Sequence, residues 1–122
     1  MGNRIEDTPV YRDAMEFAVA IDEFAERLPS WRAYLKDQLR RASLSILLNL
    51  REGGSEITPR EKARFYRIAK RSAAECATAL QFIARVHTSM RDEAMQLADQ
   101  AGPLIAQLYR LSRSQLNKAG GR

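Results

Sequence analysis

The stretch QLRRASLSILLNLREG, residues 38–53, contains the pattern that decides the fold of this chain. Its apolar residues recur at three- and four-residue spacing, so Leu39 and Ile46 fall on one face of an α-helix. Asn49 continues that face, and Gly53 follows where the pattern stops. A glycine in this place is typical of a helix end with left-handed backbone. The stretch therefore predicts a helix with one buried face that ends at Gly53.

The same spacing predicts one helix before this stretch and two after it. Thr8 and Pro9 form an N-cap and a first-turn proline, and Pro29 ends the first helix because proline lacks a backbone donor. Ser30 is placed to cap the second helix, and TPRE at residues 58–61 is a capping box for the third. The predicted helices span residues 9–28, 31–52, 59–87 and 90–116.

Four helices with short connections and matching apolar faces predict an all-α fold, a single antiparallel up-down four-helix bundle. No alternating strand pattern competes with this interpretation. The 122 residues suffice for one core and leave no room for a second domain. Pro103 interrupts the fourth helix while the apolar spacing continues on both sides, so we expect a kink there.

The residue inventory argues against catalysis and metal binding. His87 is the single histidine and Cys76 the single cysteine, which removes the multi-histidine and multi-cysteine sites that hold iron or zinc. The apolar faces carry no paired carboxylates for acid–base chemistry. The chain also lacks an apolar run of about 20 residues, the length that crosses a membrane. We therefore expect a non-enzymatic, cytoplasmic protein with no cofactor, no metal and no membrane contact.

Charge is distributed unevenly within the net +5 of the chain. Residues 1–30 carry three basic and seven acidic side chains, a net charge of −4, whereas residues 58–87 carry seven and two, a net charge of +5. Four arginines of the third helix recur at spacings of four, three and four residues, so they share one face, here termed the arginine stripe. The stripe consists of Arg60, Arg64, Arg67 and Arg71, and Lys70 extends its positive field.

The arginine stripe has three possible roles. Arginine suits phosphate because its planar guanidinium donates two hydrogen bonds at once, which makes nucleic acid a candidate ligand. The stripe could instead pair with the acidic first helix, within the chain or between subunits, or it could face solvent. The sequence offers no helix-turn-helix arrangement, zinc finger or aromatic platform, so base-specific recognition is not expected.

A second apolar line lies on the second helix, opposite its core-facing residue Ile46. Tyr34, Leu44 and Leu48 lie on this side in a three- and four-residue register that passes through Asp37 and Arg41, and Leu47 lies nearby. A helix that is apolar on two sides of a small bundle is normally covered. These four residues therefore predict an interface between copies of the chain, with scattered surface leucines as the alternative.

Two segments carry a shared motif. Residues 38–53 fit Q-L-R-R-A-x-x-S-I-x-x-N-I-x-E-G except for Leu50 at the second isoleucine. The segment FYRIAKRSAAE at residues 65–75 follows F-L-x-I-A-x-G-S-x-x-E, with Tyr66 and Arg71 in place of the leucine and the glycine. Together they resemble the bacterial four-helix-bundle family encoded in intervening sequences of 23S ribosomal RNA genes. That resemblance implies a ring-forming homopentamer and a distant relation to the nucleic-acid-associated accessory protein of diversity-generating retroelements. The polar and glycine positions of the motif are Arg40, Arg41, Asn49, Glu52, Gly53, Ser72 and Glu75.

The polar motif residues have a structural and a ligand-binding interpretation. Asn49 and Ser72 lie on or beside inward faces, where a buried hydrogen bond would fix the helix register. Arg40 and Arg41 could form salt links with the two motif glutamates or contact phosphate.

These patterns together predict a homo-oligomeric bundle, pentameric by resemblance, that binds RNA or DNA mainly through phosphate. The alternative is a protein-interaction scaffold whose ring docks a protein partner and whose basic third helix pairs with the acidic first helix of a neighbouring subunit.

Overall fold

The computed structural model describes residues 4–121, and these residues form four long helices without a strand. Short 3₁₀ turns precede three of the helices, at Ile5–Asp7, Ser30–Arg32 and Thr88–Met90. The predicted all-α four-helix bundle is confirmed. The helices are α1 (Pro9–Glu26), α2 (Ala33–Gly54), α3 (Pro59–Val86) and α4 (Arg91–Gly121).

Consecutive helices pack against each other, and α1 also contacts α4, which closes the bundle. The core is formed by the apolar faces that the spacing predicted. Burying one such side chain contributes about 1.5–3 kcal/mol relative to leaving it in water, so these faces fix the rotation of each helix. The largest fully buried side chains include Ile21, Phe24, Leu39, Ile46, Leu50, Leu80, Ile83 and Leu108.

Threonine caps start α1 and α3, as predicted. The Thr8 hydroxyl accepts a hydrogen bond from the Tyr11 amide at 3.3 Å, and the Thr58 hydroxyl accepts one from the Glu61 amide at 3.2 Å. The Glu61 carboxylate accepts a hydrogen bond from Nε of Arg64 at 3.2 Å instead of returning to the cap residue. Thr58 therefore caps α3 without the second half of a capping box.

Ser30 does not cap α2, contrary to the prediction. It begins the 3₁₀ turn that follows Pro29, and the N-cap position of α2 is Arg32, whose side chain makes no capping bond. The turn lets the chain reverse between α1 and α2 before α-helical geometry begins. Pro103 lies inside a continuous α4, which extends past the predicted end at residue 116.

The prediction of left-handed backbone at Gly53 is wrong, because α2 continues through Gly54 and Ser55 follows with φ −95°. Both glycines are required for close approach. A Cβ at Gly53 would lie 2.6 Å from Cε1 of Tyr66, and one at Gly54 would lie 2.5 Å from Cγ2 of Ile5. Such distances are shorter than real Cβ contacts, so the missing side chains allow α2 to approach α3 and the first 3₁₀ turn.

Candidate nucleic-acid interface

The arginine stripe lies on the solvent side of α3. Tyr66 and Ala69, on the opposite side of the helix, are buried in the core. The core therefore holds the stripe outward, and Lys70 lies at its edge, partly buried. The exposed members are all four stripe residues, Arg60, Arg64, Arg67 and Arg71.

One stripe residue has local partners. Nε of Arg64 donates to Glu61 at 3.2 Å, and the guanidinium carbon lies 4.4 Å from the centroid of the Phe65 ring. Both charged side chains are about half exposed, so solvent screens the pair and a phosphate can replace it. Within residues 4–121, the ion pairs do not include Arg60, Arg67 or Arg71.

The basic surface continues from α3 onto α4. Nζ of Lys70 lies 5.4 Å from the ring centroid of Tyr109, whose side chain is half exposed. Arg113 follows Tyr109 by one helical turn and is exposed. The sequence pattern did not identify these two α4 residues, because only the packing of α3 against α4 places Tyr109 beside Lys70. The feature of the sequence that could have identified them is an aromatic and a basic residue four positions apart on the polar side of α4.

Arg40 uses acidic residues of α1 as its partners. Its Nε donates to Oδ1 of Asp22 at 2.9 Å, and its Nη2 donates to Oε1 of Glu26 at 2.5 Å. The hydrogen bonds to Glu26 and then Asp22 raise the pKa of the Arg40 guanidinium above its ordinary value. The predicted salt links to Glu52 and Glu75 are therefore wrong for Arg40, since its position on α2 turns the side chain toward α1.

Two more ion pairs neutralise acidic or basic residues at the ends of the bundle. The Arg27 guanidinium donates to both carboxylate oxygens of Glu93, with Nη1 and Oε1 separated by 2.7 Å. This hydrogen bonding lowers the pKa of the Glu93 carboxyl below its ordinary range. Nε of Arg51 lies 2.8 Å from Oε2 of Glu6. Glu6, which precedes α1, is thus paired with α2, and Arg27, which follows α1, is paired with α4.

The polar motif residues connect α2 to α3 through a serine. The hydroxyls of Ser45 and Ser72 lie 2.9 Å apart, and Ser72 is buried. Nδ2 of Asn49 donates to the Ser45 hydroxyl at 3.0 Å and to the Ser45 carbonyl at 2.9 Å. The interhelical bond predicted for Asn49 and Ser72 therefore runs through Ser45. Arg41, Glu52 and Glu75 are exposed.

The second apolar line on α2 is exposed, with one exception. Tyr34 is more than half exposed, and Leu44 and Leu48 are 53% and 59% exposed. Leu47 is only 8% exposed and belongs to the core, so its placement in an interface is wrong. Leu47 faces α1, and the position of α1 decides its burial.

Residues of α1 enlarge the exposed apolar line. Met15 and Val19 are about half exposed and line a groove between α1 and α2 together with Leu44. Leu48 follows Leu44 by one turn on the same side of α2. We term Met15, Val19, Leu44 and Leu48 the apolar surface. The sequence pattern did not identify Met15 and Val19, because only the packing of α1 against α2 places them beside Leu44.

The family model for the 23S rRNA-intervening sequence protein matches residues 6–110. The chain belongs to this family. The match includes α1, α2 and α3 and most of α4, and thus the arginine stripe, the motif residues and the apolar surface. The resemblance inferred from residues 38–53 and 65–75 is confirmed. A search of curated proteins found no match.

Two features are absent from residues 4–121 of this family member. None of its helices within residues 4–121 has the length and apolar character needed to cross a membrane. The same part of the chain contains no group of three or more histidine, cysteine or acidic side chains that could hold a metal ion.

Proposed function

We propose that this protein is a non-enzymatic, cytoplasmic homo-oligomer that binds RNA or DNA through phosphate contacts made by the arginine stripe. The supporting observation is the exposure of the stripe on α3 while Asp22 and Glu26 of α1 are occupied by Arg40 of the same chain. The stripe therefore keeps its positive charge available for an external anion. The family resemblance supports a pentamer.

The dimensions of the stripe suit a polyphosphate. Arg60 and Arg71 are separated by three turns of helix, a length of about 16 Å. Phosphates along one strand of a duplex follow each other at about 3.4 Å along the axis, so the stripe spans several of them. Each guanidinium can bind a phosphate with two hydrogen bonds, and an oligomer presents the stripe once per subunit.

Fluorescence anisotropy across a salt series tests this function. Affinity should fall steeply with salt, with a slope of about −0.9 per neutralised phosphate for duplex DNA and about −0.7 for single strands. Replacing Arg64 and Arg67 by Glu should abolish binding, whereas replacing both by Lys should weaken it modestly because charge remains but the planar fork is lost.

A matched control reverses two charges away from α3. Arg12→Glu with Lys36→Glu changes the net charge of the chain equally but leaves the stripe intact. This control should retain most of the wild-type affinity. An affinity that does not depend on salt, or wild-type binding by the Arg64/Arg67 glutamate variant, would contradict the proposal.

A protein-interaction scaffold is the second candidate. The groove at the apolar surface is bordered by the exposed carboxylate of Glu23, which could receive a basic α3 from a neighbouring subunit. The Arg64/Arg67 glutamate variant separates the two functions. It should dissociate the oligomer if the stripe joins subunits, and it should leave the oligomer intact if the stripe binds nucleic acid.

A further inference from the structure

We propose that the basic surface selects single-stranded over duplex nucleic acid, because Tyr109 provides a stacking platform for one unpaired base. The proposal rests on the proposed function and adds a residue of α4 to the site.

The position of the ring is the first argument. Tyr109 is 50% exposed, although Tyr66 of the same bundle is buried at 3%. Its ring is 5.4 Å from Nζ of Lys70, the residue that precedes Arg71 of the stripe. Arg113 stands one turn further along α4. A half-exposed aromatic ring thus has one cation of α3 against it and another one turn away on its own helix.

The chemistry of single strands is the second argument. Every unpaired base has a π-face that can stack on an aromatic side chain, independently of sequence. Bases of a duplex are already stacked and paired, so a side chain on a helix surface does not reach their faces. A ring beside phosphate-binding cations therefore adds affinity for a single strand only. Lys70 and Arg113 would hold the backbone on either side of the stacked base.

A second aromatic residue borders the stripe on its other side. The guanidinium of Arg64 lies over the Phe65 ring at 4.4 Å, and Phe65 is partly exposed. Phe65 also contacts the end of α2, where its Cβ lies 3.1 Å from the position that a Gly53 Cβ would take. Because Phe65 is partly engaged in helix packing, Tyr109 is the better candidate for stacking.

Binding of labelled oligothymidine and of a duplex of equal length, measured at one salt concentration, tests the inference. Wild type should bind the single strand more tightly. Tyr109→Ala should weaken single-strand binding about fivefold or more, and leave duplex binding unchanged. Tyr109→Phe should bind as wild type, because stacking uses the ring. Phe82→Ala, which removes another half-exposed aromatic ring far along α3 from the stripe, is the matched control and should have no effect.

An abasic strand of the same length gives an independent readout. It keeps the phosphates but offers no base, so wild type should bind it no more tightly than Tyr109→Ala binds oligothymidine. Equal affinity for the abasic strand and oligothymidine would overturn the inference, as would equal losses on both probes in Tyr109→Ala.

If the Arg64/Arg67 glutamate variant loses binding but Tyr109→Ala does not, the stacking inference alone fails. If wild type binds neither probe, the proposed function fails with it.

Discussion

Gly53 holds α2 close to α3 because it has no side chain to separate them. An added Cβ would lie 2.6 Å from the ring of the buried Tyr66 and 3.1 Å from Cβ of Phe65. Gly53→Ala gains about 0.5–1 kcal/mol in helix propensity, but overpacking of a rigid contact costs about 1–3 kcal/mol. We expect a net loss in the free energy of unfolding, measured by chemical denaturation.

Gly54→Ala is the matched comparison for Gly53→Ala. Its Cβ would meet Ile5, which lies in the short first 3₁₀ turn and can shift without moving a long helix. The loss of stability should therefore be smaller than for Gly53→Ala. Equal stabilities of the two variants would indicate that the contact between α2 and α3 also relaxes freely.

Cys76 should link stability to alkaline pH. Burial, and then the charge of Glu75, raises the pKa of the Cys76 thiol from 9.0 to about 12. The protonated thiol therefore stabilises the fold fully below pH 9, and this contribution is lost as pH rises toward 12. Iodoacetamide should modify the native thiol slowly at pH 8 and rapidly only after unfolding.

Comparison with Cys76→Ala isolates the contribution of the thiol. Burial also raises the pKa of Tyr66, so some alkaline loss of stability should remain in the variant. The free energy of unfolding should fall less steeply above pH 9 in Cys76→Ala than in wild type. Parallel pH profiles would show that the thiol does not contribute.

At the residue scale, the sequence identified which side chains face inward but not which polar atoms meet. The spacing placed Asn49 and Ser72 near the helix interface, and both are there. The bond between the helices passes through Ser45 because its hydroxyl reaches Ser72 at 2.9 Å. Which hydroxyl bridges the two helices depends on the distance between α2 and α3. Gly53 sets that distance, and the spacing of residues along a single helix carries no information about it.

At the element scale, Arg40 joins α2 to α1 through two carboxylates. Arg40→Ala should lower the unfolding midpoint slightly, and high salt should reduce the difference from wild type because both carboxylates are exposed to solvent. Arg41→Ala is the control, since Arg41 is exposed one position further along α2. A similar loss in both variants, measured by thermal unfolding at low and high salt, would contradict the special role of Arg40.

Helix existence was predictable because apolar spacing recurs over many turns, and the threonine caps at Thr8 and Thr58 mark two starts directly. The start of α2 was not predictable, because Ser30 has a side chain that suits an N-cap but lies in a 3₁₀ turn. The partners of Arg40 were also missed. Spacing along α2 gives the direction of Arg40 relative to Ile46, whereas the acidic residues that it meets depend on where α1 packs.

At the scale of the whole molecule, the candidate site was predictable where it follows from one helix. The arginine stripe is exposed because the four-three-four spacing places it opposite the buried face of α3. The apolar surface was predicted only in part, since it combines residues of α1 and α2. Leu47 illustrates the limit, because it is adjacent to Leu48 in sequence but is covered by α1 in the bundle.

The apolar surface predicts how assembly and folding can be separated. Leu44→Glu with Leu48→Glu should dissociate the proposed oligomer into folded monomers, because both side chains are more than half exposed and point away from the core. Leu47→Glu should instead unfold the chain, since it places a charge in the core. Ile46→Ala should lower stability by about 2–5 kcal/mol through a core cavity without a direct effect on the interface.

Light scattering reports the assembly, and circular dichroism reports the fold. An unchanged mass for the Leu44/Leu48 variant would show that this surface does not join subunits, because two buried carboxylates would not be tolerated in an apolar contact.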